Sequence, residues 1–509
     1  MNGAESLVHT LIAGNITTCF ANPGTSEMHF VAALDRIPGV KPVLCLSEGV
    51  VAGAADAYFR MAGGPAATLL HCGPGLANAL SNLHNARRAR SGILNVVGDQ
   101  ATYHRPLDAP LTADTEGWAR PVSGFVRTAT DAARVGADAA AAITVAQSQI
   151  ATLILPADTA WSDGGTPHAP LPAPSRGQVE QGVIEKIARV LRGGEPAIML
   201  LGGSALRAAP SEAAARIAAA TGTGLRAEMF NARVERGAGR AAIDRIPYTL
   251  DLALESLSGI RHLILVEAAP PVGFFAYPGR PGRLWPEDCT LHVLARPEQD
   301  GPAALAALAD ALDAKTAPPR PARRLPQPAT GAVGPEAVAQ SLAALMPENA
   351  VIVEESISFG RGFFPATKEA PPHDWLALTG GAIGEGMPLA VGAAIGAPGR
   401  RVINLQADGS AMYTVAALWT QGRERLDITT VLISNRKYAI LLHELANVGA
   451  NPGPTALSMM DLGNPDLDWV RIAEGMGVAA ARATTMTEFN ELLRGSVSRP
   501  GPFLIELMV

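Results

Sequence analysis

The stretch that decides the fold reads Arg401-Val402-Ile403-Asn404-Leu405-Gln406-Ala407-Asp408-Gly409-Ser410. Its companion reads Thr429-Thr430-Val431-Leu432-Ile433-Ser434-Asn435-Arg436-Lys437-Tyr438. Each is an apolar run that ends in polar residues, the pattern of a buried strand feeding a turn. Between them, Tyr413 to Arg425 reads as a helix. Two parallel strands joined by one crossover helix finish on the same edge of a sheet. The carboxylate of Asp408 and the amide carbonyl of Asn435 are therefore delivered to one point. Hard oxygen donors suit magnesium, which takes few protein ligands and completes its shell with phosphate oxygens.

The same alternation of apolar strand and helical period extends outward over the whole chain. Two Pro-rich breaks interrupt it, Gly164 to Pro174 and Ala317 to Pro326. Such stretches form neither helix nor inner strand and act as semi-rigid linkers. They divide the chain into residues 1–163, 178–314 and 332–509. Each piece reads as an open parallel α/β sheet. In the first piece, Thr17 to Ala21 and Ala66 to Leu70 read as strands. Asn22-Pro23-Gly24-Thr25 is the turn after one, and His71 directly follows the other. Leu44-Cys45-Leu46-Ser47-Glu48-Gly49 runs from strand to helix with Glu48 at the junction. Ligands of open α/β sheets bind beyond the C-terminal ends of the strands. Thr25, Glu48 and His71 all lie at such ends, so the fold makes them neighbours.

Taken together, these segments resemble the thiamine diphosphate (ThDP) enzymes, in the branch of acetolactate synthase, benzoylformate decarboxylase and pyruvate oxidase. The resemblance covers essentially the whole chain. Asp408-Gly409-Ser410 and Asn435 match the motif that anchors the cofactor's diphosphate through magnesium. Ala407 and Ser434 depart from it, standing where a Gly and an Asn are usual. The backbone carbonyl of Lys437 would be the third protein ligand, and Tyr438 borders the cofactor. Glu48 matches the glutamate that touches the aminopyrimidine. Phe20 to Glu27 and Leu70 to Asn78 are similar to the family's two active-site turns. Gly380-Gly381-Ala382-Ile383-Gly384 resembles the segment under the thiazolium ring, with Gly381 in the turn and Ile383 as the apolar support. The resemblance thus implies pyrimidine-binding, central and diphosphate-binding domains in that order.

It also implies chemistry. Glu48, hydrogen-bonded to the aminopyrimidine, would let the cofactor activate its own C2 position; its other reading is a helix-start glutamate meeting the helix dipole. His71 stands where benzoylformate decarboxylase carries an active-site histidine, and an imidazole titrating near neutrality relays protons. Thr25 stands where that enzyme has a serine on the substrate carboxylate. The second histidine expected from the central domain is absent: Val272-Gly273-Phe274-Phe275 stands there, and Phe274 and Phe275 suggest an apolar pocket instead. Leu441-Leu442-His443-Glu444 begins a lid helix on which Leu442, His443 and Glu444 face either the substrate or solvent. Ser356 and Ser358, after the strand Ala350 to Val353, suit phosphate or cap a helix.

The expected activity is therefore a ThDP- and magnesium-dependent, non-oxidative 2-keto acid decarboxylase or carboligase. Its alternatives are an acetolactate synthase large subunit and a ThDP-binding homologue without turnover. FAD is not expected, because Glu228-Met229-Phe230-Asn231-Ala232-Arg233 lacks the stretch that flavin-dependent relatives show. Gly202-Gly203-Ser204 alone is a weak nucleotide signal. No Gly-x-Gly-x-x-Gly opens a helix, which argues against a nicotinamide dehydrogenase. The family builds each site from two subunits, which implies a homodimer or homotetramer.

Bulk properties narrow the field. With 509 residues, about three domains of roughly 150 each are expected. Apolar residues reach 48% and aromatics only 5%, so the core is aliphatic. A net charge of −6 with scattered signs gives no basic face for nucleic acid. Cys19, Cys45, Cys72 and Cys289 lack metal-ligand spacing and read as reduced thiols. No apolar run reaches the roughly 18 residues of a membrane span, so a cytoplasmic protein is expected.

Overall fold

The computed structural model describes residues 1–316, 318 and 320–509. Within the second Pro-rich break, Ala317 and Pro319 lie outside the described residues; the first break, Gly164 to Pro174, carries no helix or strand.

Three sheets are formed. The first contains β1 (Thr18–Ala21), β2 (Lys41–Leu44), β3 (Ala66–Leu70), β4 (Ile93–Asp99), β5 (Phe125–Thr128) and β6 (Ile150–Pro156). All its pairings are parallel, in the order β2-β1-β3-β4-β6-β5. β3, β4 and β6 are buried at every position. Helices cover both faces, which is why these strands are apolar throughout rather than alternating.

The central sheet has β7 (Ala197–Leu201), β8 (Gly224–Ala227), β10 (Asp244–Arg245), β11 (His262–Val266) and β12 (Thr290–Ala295), ordered β10-β8-β7-β11-β12. One strand from this part of the chain, β9 (Val234–Arg236), leaves it. It pairs antiparallel with β14 (His373–Ala377) and becomes the edge of the third sheet. There Arg236 is buried, with its guanidinium 3.7 Å from the Phe364 ring centre.

The third sheet adds β13 (Val351–Glu355), β15 (Val402–Ala407), β16 (Ile428–Ser434), β17 (Ala479–Ala483) and β18 (Phe503–Met508) in the order β17-β18-β16-β15-β13-β14-β9. β15 and β16 are parallel neighbours, in the register Ala407 to Ile433. The connection between them is less regular than one helix from Tyr413 to Arg425. Asp408–Ala411 already turns helically, a tighter turn covers Met412–Thr414, and the main helix is Ala417–Glu424.

The first and third domains meet through two nearly fully buried helices, Glu48–Ala62 and Gly386–Gly396. Small residues let the backbones touch: a methyl group on Gly392 would stand 1.9 Å from the Ala54 carbonyl, and one on Gly53 2.6 Å from Pro388. Their N-terminal ends lie together. Asn82 Nδ2 donates to the carbonyls of both Gly49 (2.8 Å) and Gly384 (3.4 Å). A buried ion cluster closes the same interface. Arg60 pairs with Asp56 (2.6 Å) and Glu385 (3.0 Å) and donates to the Ala377 carbonyl (2.9 Å). One cation faces two carboxylates, and burial drives Glu385 well above the ordinary carboxylate range.

Candidate active site

The C-terminal edge of the first sheet brings Thr25, Glu48 and His71 together through glycines. A methyl group on Gly24, next to Thr25, would stand 2.2 Å from His71 Nδ1. One on Gly75 would stand 3.0 Å from Glu48 Oε1 and 3.5 Å from His71 Cβ. Glu48 is the first residue of its helix and 7% exposed, and Asn78 Nδ2 donates to its Oε2 at 3.2 Å. Thr25 is exposed and His71 half-buried.

A residue not singled out from the sequence completes this edge. Glu27 is fully buried, and its Oε2 lies 3.0 Å from His71 Nδ1 and accepts the Gly24 N–H at 2.7 Å. Burial raises its pKa, and the His71 partner and the Gly24 N–H counter that rise. A carboxylate acceptor puts the imidazole proton on Nδ1 and leaves Nε2 as the free ring nitrogen. Beside the pair, the Cys72 thiol lies 3.3 Å from Ser26 Oγ and is pushed up to about 11 by burial, so it stays protonated.

The third sheet carries the other candidate half-site. Asp408 is 3% exposed and raised in pKa by burial. Its Oδ2 accepts the Arg436 N–H at 2.6 Å and its Oδ1 the Gly409 N–H at 2.8 Å. The strand ends at Asp408 and Asn435 are thereby tied together. Asn435 Oδ1 accepts the Lys437 N–H at 3.1 Å. Tyr438 covers Gly409, where a methyl group would stand 2.5 Å from its ring. Ser410 accepts from Gln406 (2.7 Å). Ser356 follows Glu355 at the same edge, and its buried hydroxyl lacks any hydrogen-bond partner among the described residues. Ser358 precedes a tight helical turn without capping it by its side chain.

Facing this edge, Gly381 and Gly384 take left-handed backbones, with φ of +81° and +94°. Glu355, fully enclosed and raised in pKa by burial, accepts the N–H groups of Gly384 and Gly386, both at 2.6 Å. From the first domain, Asn85 accepts from Ala382 N–H (3.2 Å) and donates to its carbonyl (2.7 Å). The loop bearing half-buried Ile383 is thus fixed from both sides. Glu27, Asn82, Asn85 and Glu355 are functional candidates that sequence reasoning missed, because their partners come from distant segments.

The central domain closes a third side. Phe274 packs on Gly381, where a methyl group would stand 2.5 Å from its ring, and against Phe230, Tyr248 and Phe275. Both Phe274 and Phe275 remain partly exposed. The helix Ala439–Asn447 has no buried residue and is held over this cluster by Glu444. Its carboxylate accepts from Tyr277 (2.8 Å) and Tyr248 (3.4 Å). Glu444 therefore faces the aromatic cluster, His443 is exposed to solvent, and Leu442 is half-buried.

The chain is similar to known proteins. Residues 1–118 fit the model of the thiamine pyrophosphate enzyme N-terminal TPP binding domain, and residues 363–507 that of the C-terminal TPP binding domain. A Mycobacterium tuberculosis protein provisionally named acetolactate synthase large subunit IlvX is 53% identical, over 100% of this chain and 99% of its own. Benzoylformate decarboxylase of Pseudomonas aeruginosa is 29% identical over 97% of this chain and 96% of its own. A solved Rhodococcus jostii RHA1 4-hydroxybenzoylformate decarboxylase shares the fold, with a TM-score of 0.81 at 23% identity, 99% of this chain and 98% of that one being covered. Two family models at the two ends of the chain and a relative more than half identical along its whole length agree with the paired half-sites: the chain belongs to the thiamine diphosphate-dependent enzymes.

Proposed function

We propose that this enzyme is a ThDP- and magnesium-dependent decarboxylase or carboligase of 2-keto acids that uses no external oxidant. Asp408, Asn435 and the Lys437 carbonyl would hold the metal, and Ser356, Ser358, Gly409, Ser410 and Tyr438 would line the diphosphate. The residues fit: the donor set is all oxygen, and the buried Ser356 hydroxyl is left with a hydrogen bond to give. Gly381 and Ile383 would support the thiazolium and Glu48 the aminopyrimidine. When bound, the cofactor supplies the electron sink that allows a 2-keto acid to lose carbon dioxide.

The observation that carries the reading is the Glu27–His71 pair beside Glu48, with Gly75 packed against both Glu48 and His71. A buried carboxylate fixes the ring, and the free Nε2 then gives or takes one proton at the reacting carbon. Thr25 contributes a hydroxyl for the substrate carboxylate. Phe274 and Phe275 provide an apolar wall, which favours a non-polar substituent on the keto acid and excludes water.

Acetolactate synthesis is the second reading, favoured by the 53% identical relative. One experiment separates the two. Carbon dioxide release from a panel of 2-keto acids is followed with ThDP and magnesium, wild type beside Glu48→Gln, and the products are analysed. Aldehyde or mixed ligation products, lost in the variant, support the decarboxylase or carboligase reading. Acetolactate from pyruvate alone replaces it with the second, and no release from any acid by ThDP-loaded protein refutes both.

Assembly and location are part of the proposal. Leu46, Met412 and Tyr413 are exposed apolar residues close to Glu48 and Gly384, a face suited to a second subunit of a homodimer or homotetramer. Light scattering that gives a monomer at micromolar concentration would exclude it. Free cysteines, three of them buried, accord with the reducing cytoplasm.

A further inference from the structure

Independently of that reading, the central domain carries a closed crevice. Its strand order reverses between β7 and β11, and a reversal of this kind is where open α/β sheets receive their ligands. β7 runs into Gly202-Gly203-Ser204, and the helix Gly301–Ala311 begins across the crevice. The space between them is filled by the chain itself. Glu267, directly after β11, is 2% exposed. Its carboxylate accepts the Ser204 N–H and hydroxyl (both 2.7 Å), the Gly301 N–H (3.1 Å) and Arg176 Nη1 (2.9 Å).

Two further observations show that the surroundings are shaped to this side chain. A methyl group on Gly203 would stand 2.4 Å from Glu267 Oε2, and one on Gly301 2.5 Å from Oε1. Glu267 itself sits in the left-handed region, at φ +52°, a conformation that disfavours glutamate and needs compensation from what the residue gains. A second acid, Glu228, is raised in pKa by burial and lies close enough to Glu267 to repel it. An incoming diphosphate would add charge beside both.

We infer that Glu267 is an internal anion that takes the place of a nucleotide phosphate at the turn of the central sheet, closing this domain to FAD, NAD and adenine nucleotides. Two backbone N–H groups, a hydroxyl and a guanidinium around one anion are the donor set of a phosphate site. Here the glutamate satisfies them permanently. It also joins the linker residue Arg176 to the central domain, while Arg90 of the first domain donates to the Glu267 carbonyl at 2.8 Å. The domain then contributes Phe274 and Phe275 and joins the catalytic halves without carrying a cofactor of its own.

The test uses protein loaded with ThDP and magnesium, so that the catalytic diphosphate site is filled. Glu267→Gly removes the carboxylate and also suits the left-handed backbone; Glu267→Gln fills the crevice without charge. Melting temperature is recorded in inorganic phosphate against chloride of equal ionic strength. The expected result is a rise of roughly 1–2 °C for Glu267→Gly alone, the size that saturation by about tenfold over Kd produces in a large chain. A folded Glu267→Gly with no such rise, or an equal rise in wild type, overturns the inference. Should Glu267→Gly not fold, calorimetry of wild type with ADP and FAD decides: no saturable binding supports closure, and saturable binding overturns it.

Discussion

Replacing Glu27 by Gln should slow turnover without unfolding the enzyme. Glu27 touches His71 Nδ1 at 3.0 Å and is held in turn by the Gly24 N–H at 2.7 Å. The amide has nearly the same shape, so it can still accept from Gly24, but it brings no charge to the imidazole. A hydrogen bond to a charged group contributes about 1.5–3 kcal/mol, against about 1 kcal/mol for a neutral one. If the difference is expressed in the proton-transfer step, about 1–2 kcal/mol is lost, or roughly 5- to 30-fold in kcat. Glu27→Ala should cost more, since it leaves the Gly24 N–H unpaired in a buried space. The assay is steady-state release of carbon dioxide and aldehyde, with ThDP affinity and the circular dichroism spectrum measured in parallel. The expected signature is a fall in kcat with KM and ThDP affinity nearly constant. A kcat within twofold of wild type, or a loss explained wholly by weaker ThDP binding, would refute the claim that Glu27 acts through His71.

Other consequences follow from single contacts. Gly75→Ala inserts a methyl group 3.0 Å from Glu48 Oε1; helix propensity gains about 1 kcal/mol, so activity should drop at least tenfold while the melting temperature holds or rises. Gly98→Ala would put its methyl 1.6 Å from Glu27 Oε1, an overlap that should destabilise the first domain by about 3 kcal/mol in denaturant unfolding. Asp408→Asn removes the anionic ligand proposed for the metal and leaves one acceptor oxygen for the two N–H groups of Gly409 and Arg436; ThDP–magnesium affinity by calorimetry should fall at least tenfold in folded protein. Glu385 has a pKa raised in the folded state, so its contribution is fully present below the unfolded value near 4.3 and is lost as pH rises through the folded value. Glu385→Gln mimics the protonated form and should flatten the decline that begins as pH rises above about 4.3; an unchanged slope of stability against pH in urea titrations would contradict it.

What the sequence disclosed and what it hid divide by range. Asp408 and Asn435 were legible because a strand delivers each to its edge and one crossover fixes the edge. Glu48 and His71 were legible for the same reason. Glu27 was not, although it stands two residues beyond Thr25. Its role depends on the absence of a side chain at Gly98, on another strand, and on an imidazole from a third. Asn82 and Asn85 lie on an ordinary helix and acquire meaning only when the Gly380–Gly384 loop docks there. The three-residue strand β9 is too short to show a period, so nothing in its sequence announces that it leaves its own domain. Glu444 was read as facing either substrate or water; its two partners, the hydroxyls of Tyr248 and Tyr277, come from a distant segment and could not be read from its own helix.

The excursion of β9 bears on how such chains can be cut and recombined. Val234–Arg236 is central in sequence but forms the rim of the third sheet, pinned there by Arg236 over Phe364. Exchange of the central domain between relatives at the Pro-rich segments would carry this rim strand with the donor. The recipient's β14 would then meet a foreign neighbour, or present an open row of amides and carbonyls that invites intermolecular pairing. The unit that can be moved intact is therefore not the stretch between the linkers but that stretch together with the strand it shelters.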